Sequence, residues 1–255
     1  GKAAKNVLLL VASLVFYAWG EPVYVVLMVV SIACNWAFGL YVGPGDGSRP
    51  RSKGFRRACL VLCLVVDLGI LGFFKYEGFL AQNLNLLLGS NVVPDLQLPL
   101  PIGISFYTLQ AVSYIVDDYR GEVKPQRNPL YLGMYIAMFP QLVAGPIVRY
   151  ADIQDQIDNR RVTFAGFAQG VRLFIVGLGK KVLLANVVAI LASSILAKTG
   201  ADVGAVGVWA GLIAFTFQIY FDFSGYSDMA IGLGKMFGFQ YLRNFNYPYI
   251  STSAT

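Results

Sequence analysis

Polar side chains concentrate in Phe217-Gln218-Ile219-Tyr220-Phe221-Asp222-Phe223-Ser224-Gly225-Tyr226-Ser227-Asp228, a segment otherwise aromatic or aliphatic. If it is helical, Tyr220, Ser224 and Asp228 share one face, and Gln218, Asp222 and Tyr226 share the next. A carboxylate at bilayer depth costs roughly 3 kcal/mol unless it is paired or wet, so each aspartate is a functional candidate. A plainer role is open to both. Gly225 could end one helix, with Ser227 or Asp228 capping the next, or an aspartate could sit at the interface.

Three further clusters carry polar groups beside apolar runs. Pro101–Gln110 holds Ser105, Tyr107, Thr108 and Gln110, suited to lining a tunnel or to hydrogen bonding between helices. Asp117-Asp118-Tyr119-Arg120-Gly121-Glu122 follows, and Asp118 belongs either to a tunnel mouth or to a solvated loop with local ion pairs. In Phe139–Tyr150, Gln141 is a buried polar candidate, while Arg149 either grips an anion such as a diphosphate or snorkels to headgroups. Asn35 and Asp67 stand alone in apolar runs, where such residues join helices. Lys180 and Lys181 read as a helix end at the cytoplasmic surface.

Other chemistries are excluded. The sequence has no histidine, so a Ser-His-Asp or Cys-His site cannot be built from it. Cys59 and Cys63 are one helical turn apart, but without histidine or a second cysteine pair they read as buried thiols, and no metal is expected. There is no phosphate-loop motif and no nucleic-acid motif. The net charge of +6 comes from basic residues flanking apolar runs, which suits membrane orientation.

The elements that must position these groups are membrane helices. The chain has 255 residues, 56% hydrophobic and 13% charged, and a charged fraction of about 25% is usual for a soluble domain. A single transmembrane domain over residues 1–255 is expected. Val7–Trp19 reads as a first membrane helix, because no cleavage site precedes Glu21 and another apolar stretch follows. Val23–Val42, Ala58–Phe74, Phe164–Leu196 and Gly204–Phe223 are span candidates, at about 20 apolar residues per crossing. Leu98–Val116 and Pro129–Val148 are long enough, but Pro99, Pro101, Gly103, Pro140, Gly145 and Pro146 interrupt them. Re-entrant segments and kinked spans both fit. Gly43–Arg57 holds Arg49, Arg51, Lys53, Arg56 and Arg57 against Asp46, which assigns that loop to the cytoplasm. The same rule puts Glu21–Pro22 and Lys75–Gln97 outside and Arg120, Lys124 and Arg127 inside. Met229–Phe239 reads as a short interfacial amphipathic helix.

Taken together, Leu98–Gln110, Val116–Glu122, Phe139–Ile153, Phe217–Gly238 and Asn244–Tyr249 resemble the membrane-bound O-acyltransferases, specifically the bacterial branch that acetylates exopolysaccharides such as alginate. The resemblance implies an all-α integral membrane fold, a ring of helices with broken or re-entrant segments around a central tunnel. It implies transfer of an acyl group, acetyl in this branch, across the bacterial cytoplasmic (inner) membrane to hydroxyls of an exported polysaccharide. The donor would be acetyl-CoA. The partners would be membrane lipids and the polysaccharide or an extracytoplasmic acetyltransferase, with no nucleic acid. Tyr107, Gln110, Asp118, Gln141, Arg149, Gln218, Tyr220, Asp222, Ser224, Tyr226 and Asp228 would line the tunnel or the substrate path. The family's catalytic histidine follows the element matched by Asn244–Tyr249 and is expected beyond Thr255, so this stretch reads as the N-terminal portion of a longer enzyme. A polysaccharide exporter or proton-coupled transporter subunit is the alternative.

Overall fold

The computed structural model describes residues 2–45, 51–94, 96–143, 145–146, 148–198 and 200–252. Among them every regular element is helical. The chain forms two compact units, residues 1–143 with 149–158, and residues 144–148 with 159–255.

The first unit holds α1 (Lys2–Gly20), α2 (Tyr24–Val42), α3 (Lys53–Leu88), α4 (Ile104–Arg120), α5 (Pro129–Ala137), α6 (Phe139–Leu142) and α7 (Tyr150–Asn159). Its α1, α2 and α3 are long and apolar enough to cross a membrane. Large apolar side chains are exposed on the surface, and polar ones are buried among the apolar residues of the interior. Leu8, Val26 and Leu62 are 70%, 64% and 56% exposed, whereas Asn6, Ser13, Asn35 and Asp67 are buried. That inversion suits lipid, where apolar side chains face the solvent and polar groups need partners inside.

Asn35 on α2 meets that need for Asp67 on α3. Its Nδ2 donates to both carboxylate oxygens at 3.0 and 2.9 Å, and Ser31 Oγ donates to Oδ1 at 3.3 Å. The two isolated polar residues thus join helices, as the sequence suggests. At the basic end, Arg56 Nε donates to Val42 O at 2.9 Å, and its guanidinium also donates to Tyr119 O. One cation therefore caps the C-termini of both α2 and α4, where the helix dipoles favour positive charge.

Several sequence boundaries shift. Helix α3 has 36 residues, about 54 Å of helix against about 30 Å of hydrocarbon. Lys75 and Glu77 are therefore helical rather than part of an outer loop. Ser52 caps its start by accepting from Phe55 N, and Gly89 ends it in the left-handed region at φ 64°. Neither proline-broken segment makes a straight span. Gly103 (φ 74°) opens α4, which has 17 residues, and a Cβ on that glycine would stand 2.7 Å from Leu142 O. The other segment divides into α5 and α6, of 9 and 4 residues. Pro140 leaves Ile136 O without its helical donor, and Phe139 N donates to Ser13 Oγ on α1 at 3.2 Å.

The second unit holds α8 (Phe164–Gly179), a π-helical turn (Lys180–Ala185), α9 (Asn186–Leu196) and α10 (Gly200–Met236), followed by a 3-10 turn at Pro248–Ile250. Helix α8, the π turn and α9 run on as one apolar stretch long enough to span, and so does α10. Lys180 and Lys181 consequently lie within a continuous helical run, not at a helix end. Gly225 does not end a helix, and Met229–Met236 continues α10 rather than forming a separate interfacial helix.

Four glycines explain how α8 and α10 pack. A Cβ on Gly170 would lie 2.6 Å from Gly232 O, and one on Gly177 would lie 2.5 Å from Gly225 O. The pairs match across antiparallel helices at a seven-residue spacing, which keeps one seam in register. Without hydrophobic driving force between helices in lipid, this close backbone approach supplies the van der Waals contact. Gly177→Ala is expected to lower the thermal midpoint in detergent by several degrees, an overpacking cost of about 1–3 kcal/mol. Gly179→Ala, whose added Cβ would meet nothing within 4 Å, should leave the midpoint in place. Equal midpoints for the two variants would refute the backbone contact.

Candidate functional site

The sequence-derived candidates fall into three groups. In the first unit, Tyr107, Gln110 and Gln141 are all buried. Gln110 Nε2 and Gln141 Nε2 both donate to Tyr135 O, at 3.0 and 2.9 Å. The break after α5 creates this acceptor: Phe139 N is drawn to Ser13, so the Tyr135 carbonyl is left to the two amides. Gln141 Oε1 and the Tyr107 hydroxyl have no hydrogen-bond partner among the described residues. Buried polar atoms of that kind are costly to keep and suit a polar ligand or path.

The second group lies at the C-terminal end of α4. Arg149 closes on two acids: Nη2 sits 2.6 Å from Asp117 Oδ1 and 2.7 Å from Glu122 Oε2, and Nε donates to Asp117 Oδ2 at 3.2 Å. Its guanidinium is thus engaged within the protein rather than snorkelling. Asp118 is fully buried, and neither carboxylate oxygen has a hydrogen-bond partner among the described residues. It lies outside the five span candidates. Burial pushes its carboxyl up to about 7, against the opposing pull of Arg51 and Arg56.

The third group occupies α10. Because the helix is unbroken after Gly204, Gln218, Asp222 and Tyr226 share one face and Tyr220, Ser224 and Asp228 share another, but at 3.6 residues per turn the two faces lie about 160° apart rather than side by side as the sequence reading has them. Lys180 Nζ lies 2.6 Å from Asp228 Oδ2, and Lys181 Nζ donates to Asp222 Oδ1. Two consecutive lysines thus meet two aspartates on one helix. The π turn that begins at Lys180 contributes to this, because a wider turn separates consecutive side chains by a smaller angle. Between the aspartates, the buried hydroxyls of Ser224 and Ser227 have no hydrogen-bond partner among the described residues. The Tyr220 ring packs on Phe245 and Tyr249, with centroids 6.2 and 5.6 Å apart, so the chain after α10 folds back onto it.

Sequence reasoning missed the lysines as partners. The available signal was two cations interrupting a 33-residue apolar run while two unmatched aspartates interrupt another. No group of three or more metal-ligating side chains occurs among the described residues.

Residues 58–253 match the model of MBOAT, the membrane-bound O-acyltransferase family. The chain belongs to this family. With its apolar helices, that makes it a multi-pass membrane protein. It is 43% identical over 258 residues to the probable alginate O-acetylase AlgI of Pseudomonas aeruginosa, covering 100% of this chain and 48% of that relative. A probable alginate O-acetylase AlgI from Azotobacter vinelandii is 44% identical over 98% of the chain and 50% of its own length. The peptidoglycan O-acetyltransferase of Helicobacter pylori is 34% identical over 94% of the chain and 50% of its own length. The chain spans about half the length of the curated relatives it matches.

Two expectations follow from this geometry. Gln110→Leu or Gln141→Leu alone leaves Tyr135 O one donor and should cost about 1 kcal/mol; the double variant should cost more than the sum. Denaturant unfolding of the four proteins in micelles reads that coupling, and additive losses would contradict the shared acceptor. For Asp118, the folded protein binds its proton more tightly than the unfolded chain does. Stability should therefore fall as pH rises from about 4 to about 7 and level off above. Asp118→Asn should flatten that part of the melting-temperature profile, and an unchanged slope would contradict the assignment.

Proposed function

We propose that the full-length protein is an O-acyltransferase that moves an acetyl group from acetyl-CoA to hydroxyls of an exported polysaccharide, acting in the bacterial cytoplasmic membrane. The observation that carries this reading is similarity along essentially the whole chain to relatives named for O-acetylation of alginate and of peptidoglycan. Both relatives' names point to a glycan acceptor, and a membrane enzyme can reach an exported glycan from within the bilayer. The exporter reading draws no support from the family or from these relatives.

In the reaction the acceptor hydroxyl attacks the acyl carbonyl, its proton passes to a general base, and the thiolate of the donor departs. On this reading the base lies in the part of the family's length that this chain does not span. Residues of this chain supply the surroundings. Lys181 holds Asp222 in one position, and Lys180 holds Asp228. Ser224 and Ser227 offer buried hydroxyls on the same helix, and Gln141 offers Oε1 in the first unit. Within each unit, these groups would orient a reactant and shield it from bulk water. An extracytoplasmic acetyltransferase partner belongs to the same reading.

A strain lacking the gene, complemented with full-length variants, tests it through acetyl-ester content of the exopolysaccharide. The wild-type gene should restore the esters. Asp222→Asn and Gln141→Ala should reduce them about ten- to hundredfold at matched expression, the scale of a misplaced reacting group. Unchanged ester content with and without the wild-type gene would overturn the function, and full activity in both variants would remove those residues from the site.

A further inference from the structure

In the first unit, the end of α2, Arg51 just before α3 and the α4–α5 connection line a cavity of about 820 Å3. Arg51 comes from the segment leading into α3, Lys124 and Arg127 come from the connection between α4 and α5, and Leu40 and Tyr41 come from the last turn of α2. None of the described residues lining it is acidic. Two nearby acids among the described residues are accounted for. Glu122 is paired with Arg149 and Arg120. Asp118 lies buried against Gly43, within electrostatic reach of Arg51 and Arg56. Arg51 is already positioned, its guanidinium 5.4 Å from the Tyr41 ring centroid and Nη1 3.4 Å from Gly43 O. Lys124 and Arg127 are exposed at the rim.

The size falls in the range of small-molecule sites, about 300–1,000 Å3, and is larger than a bare phosphate needs. The place narrows the ligand further. Helix α2 is a membrane span, and this is the end where the charge rule puts the cytoplasmic surface. Exposed Ala37, Ala33 and Val30 follow at helical spacing down α2 from Leu40 and Tyr41, so the helix presents an apolar wall beneath the cavity. Three cations above an apolar wall match a phosphate above acyl chains.

We propose that this cavity seats the phosphate of an anionic membrane lipid, held by Arg51, Lys124 and Arg127. Bound lipid would tie Arg51, just before α3, to the α4–α5 connection from the cytoplasmic side. The proposal does not depend on the acyl-transfer reading.

Native mass spectrometry of the full-length protein in detergent, supplied with phosphatidylglycerol or phosphatidylcholine, tests it. Phosphatidylglycerol should be retained in preference, and Lys124→Gln with Arg127→Gln should weaken its retention about tenfold. Lys124→Gln alone should give a smaller loss in the same direction. Lys53→Gln with Arg57→Gln removes two cations of the same basic region that do not line the cavity, and should leave retention unchanged. Pyrophosphate added in millimolar excess should not displace the lipid. Equal retention of the two lipids, no effect of the cavity variants, or an equal effect of the control pair would each overturn the site. Displacement by pyrophosphate would overturn the lipid as ligand and assign the cavity to a soluble phosphate compound.

Discussion

Hydrocarbon offers no hydrogen bonds and little dielectric screening, so each polar group carried into the membrane must find its partner within the protein. That constraint organises both units. In the first, Asp67 is matched by Asn35 and Ser31, and the carbonyl released at the end of α5 is matched by two glutamines. In the second, two aspartates on α10 are matched by two lysines on the opposing helical run. Where no described partner exists, as at Gln141 Oε1, Ser224 and Ser227, the same constraint marks the groups that suit substrate or path.

Packing follows from the same solvent. Between α8 and α10, side chains give way to backbone contact at Gly170, Gly177, Gly225 and Gly232. The Lys180–Asp228 and Lys181–Asp222 pairs lie along this seam, between Gly177 and the π turn on one side and the middle of α10 on the other. Close approach and charge pairing therefore support each other: the glycines bring the helices near enough for lysine to reach aspartate, and the pairs fix the register. The segment Phe217–Gly238 coincides with this arrangement, and Asn244–Tyr249 returns to it through Phe245 and Tyr249 on Tyr220.

Much of this was legible in the sequence. The spans at Val23–Val42, Phe164–Leu196 and Gly204–Phe223 are apolar for long enough to show by composition, and the two faces of α10 follow from spacing alone. The proline-broken segments were visible as breaks, but their short helices were not, because the outcome depends on which neighbour captures each freed backbone group; Ser13, more than a hundred residues from Phe139, is not a local signal. The lysine pair misled for a similar reason. Adjacent lysines ordinarily end a membrane helix, and only the opposing aspartates make an internal position tolerable. The extra length of α3 was hidden by Lys75 and Glu77, which local hydropathy reads as a boundary.

The central claim is that opposite charges at membrane depth hold α10 against the α8–π–α9 run and set the geometry of the candidate site. A charge-exchange cycle on the full-length protein tests it most directly: Asp222→Lys, Lys181→Asp and the two together, compared with wild type by thermal unfolding in lipid nanodiscs. Each single change places two like charges side by side and should lower the midpoint strongly, by the equivalent of about 3 kcal/mol or more. The exchanged pair should recover most of that loss. Single variants that melt like wild type, or an exchanged pair no more stable than the sum of its parts, would contradict the account.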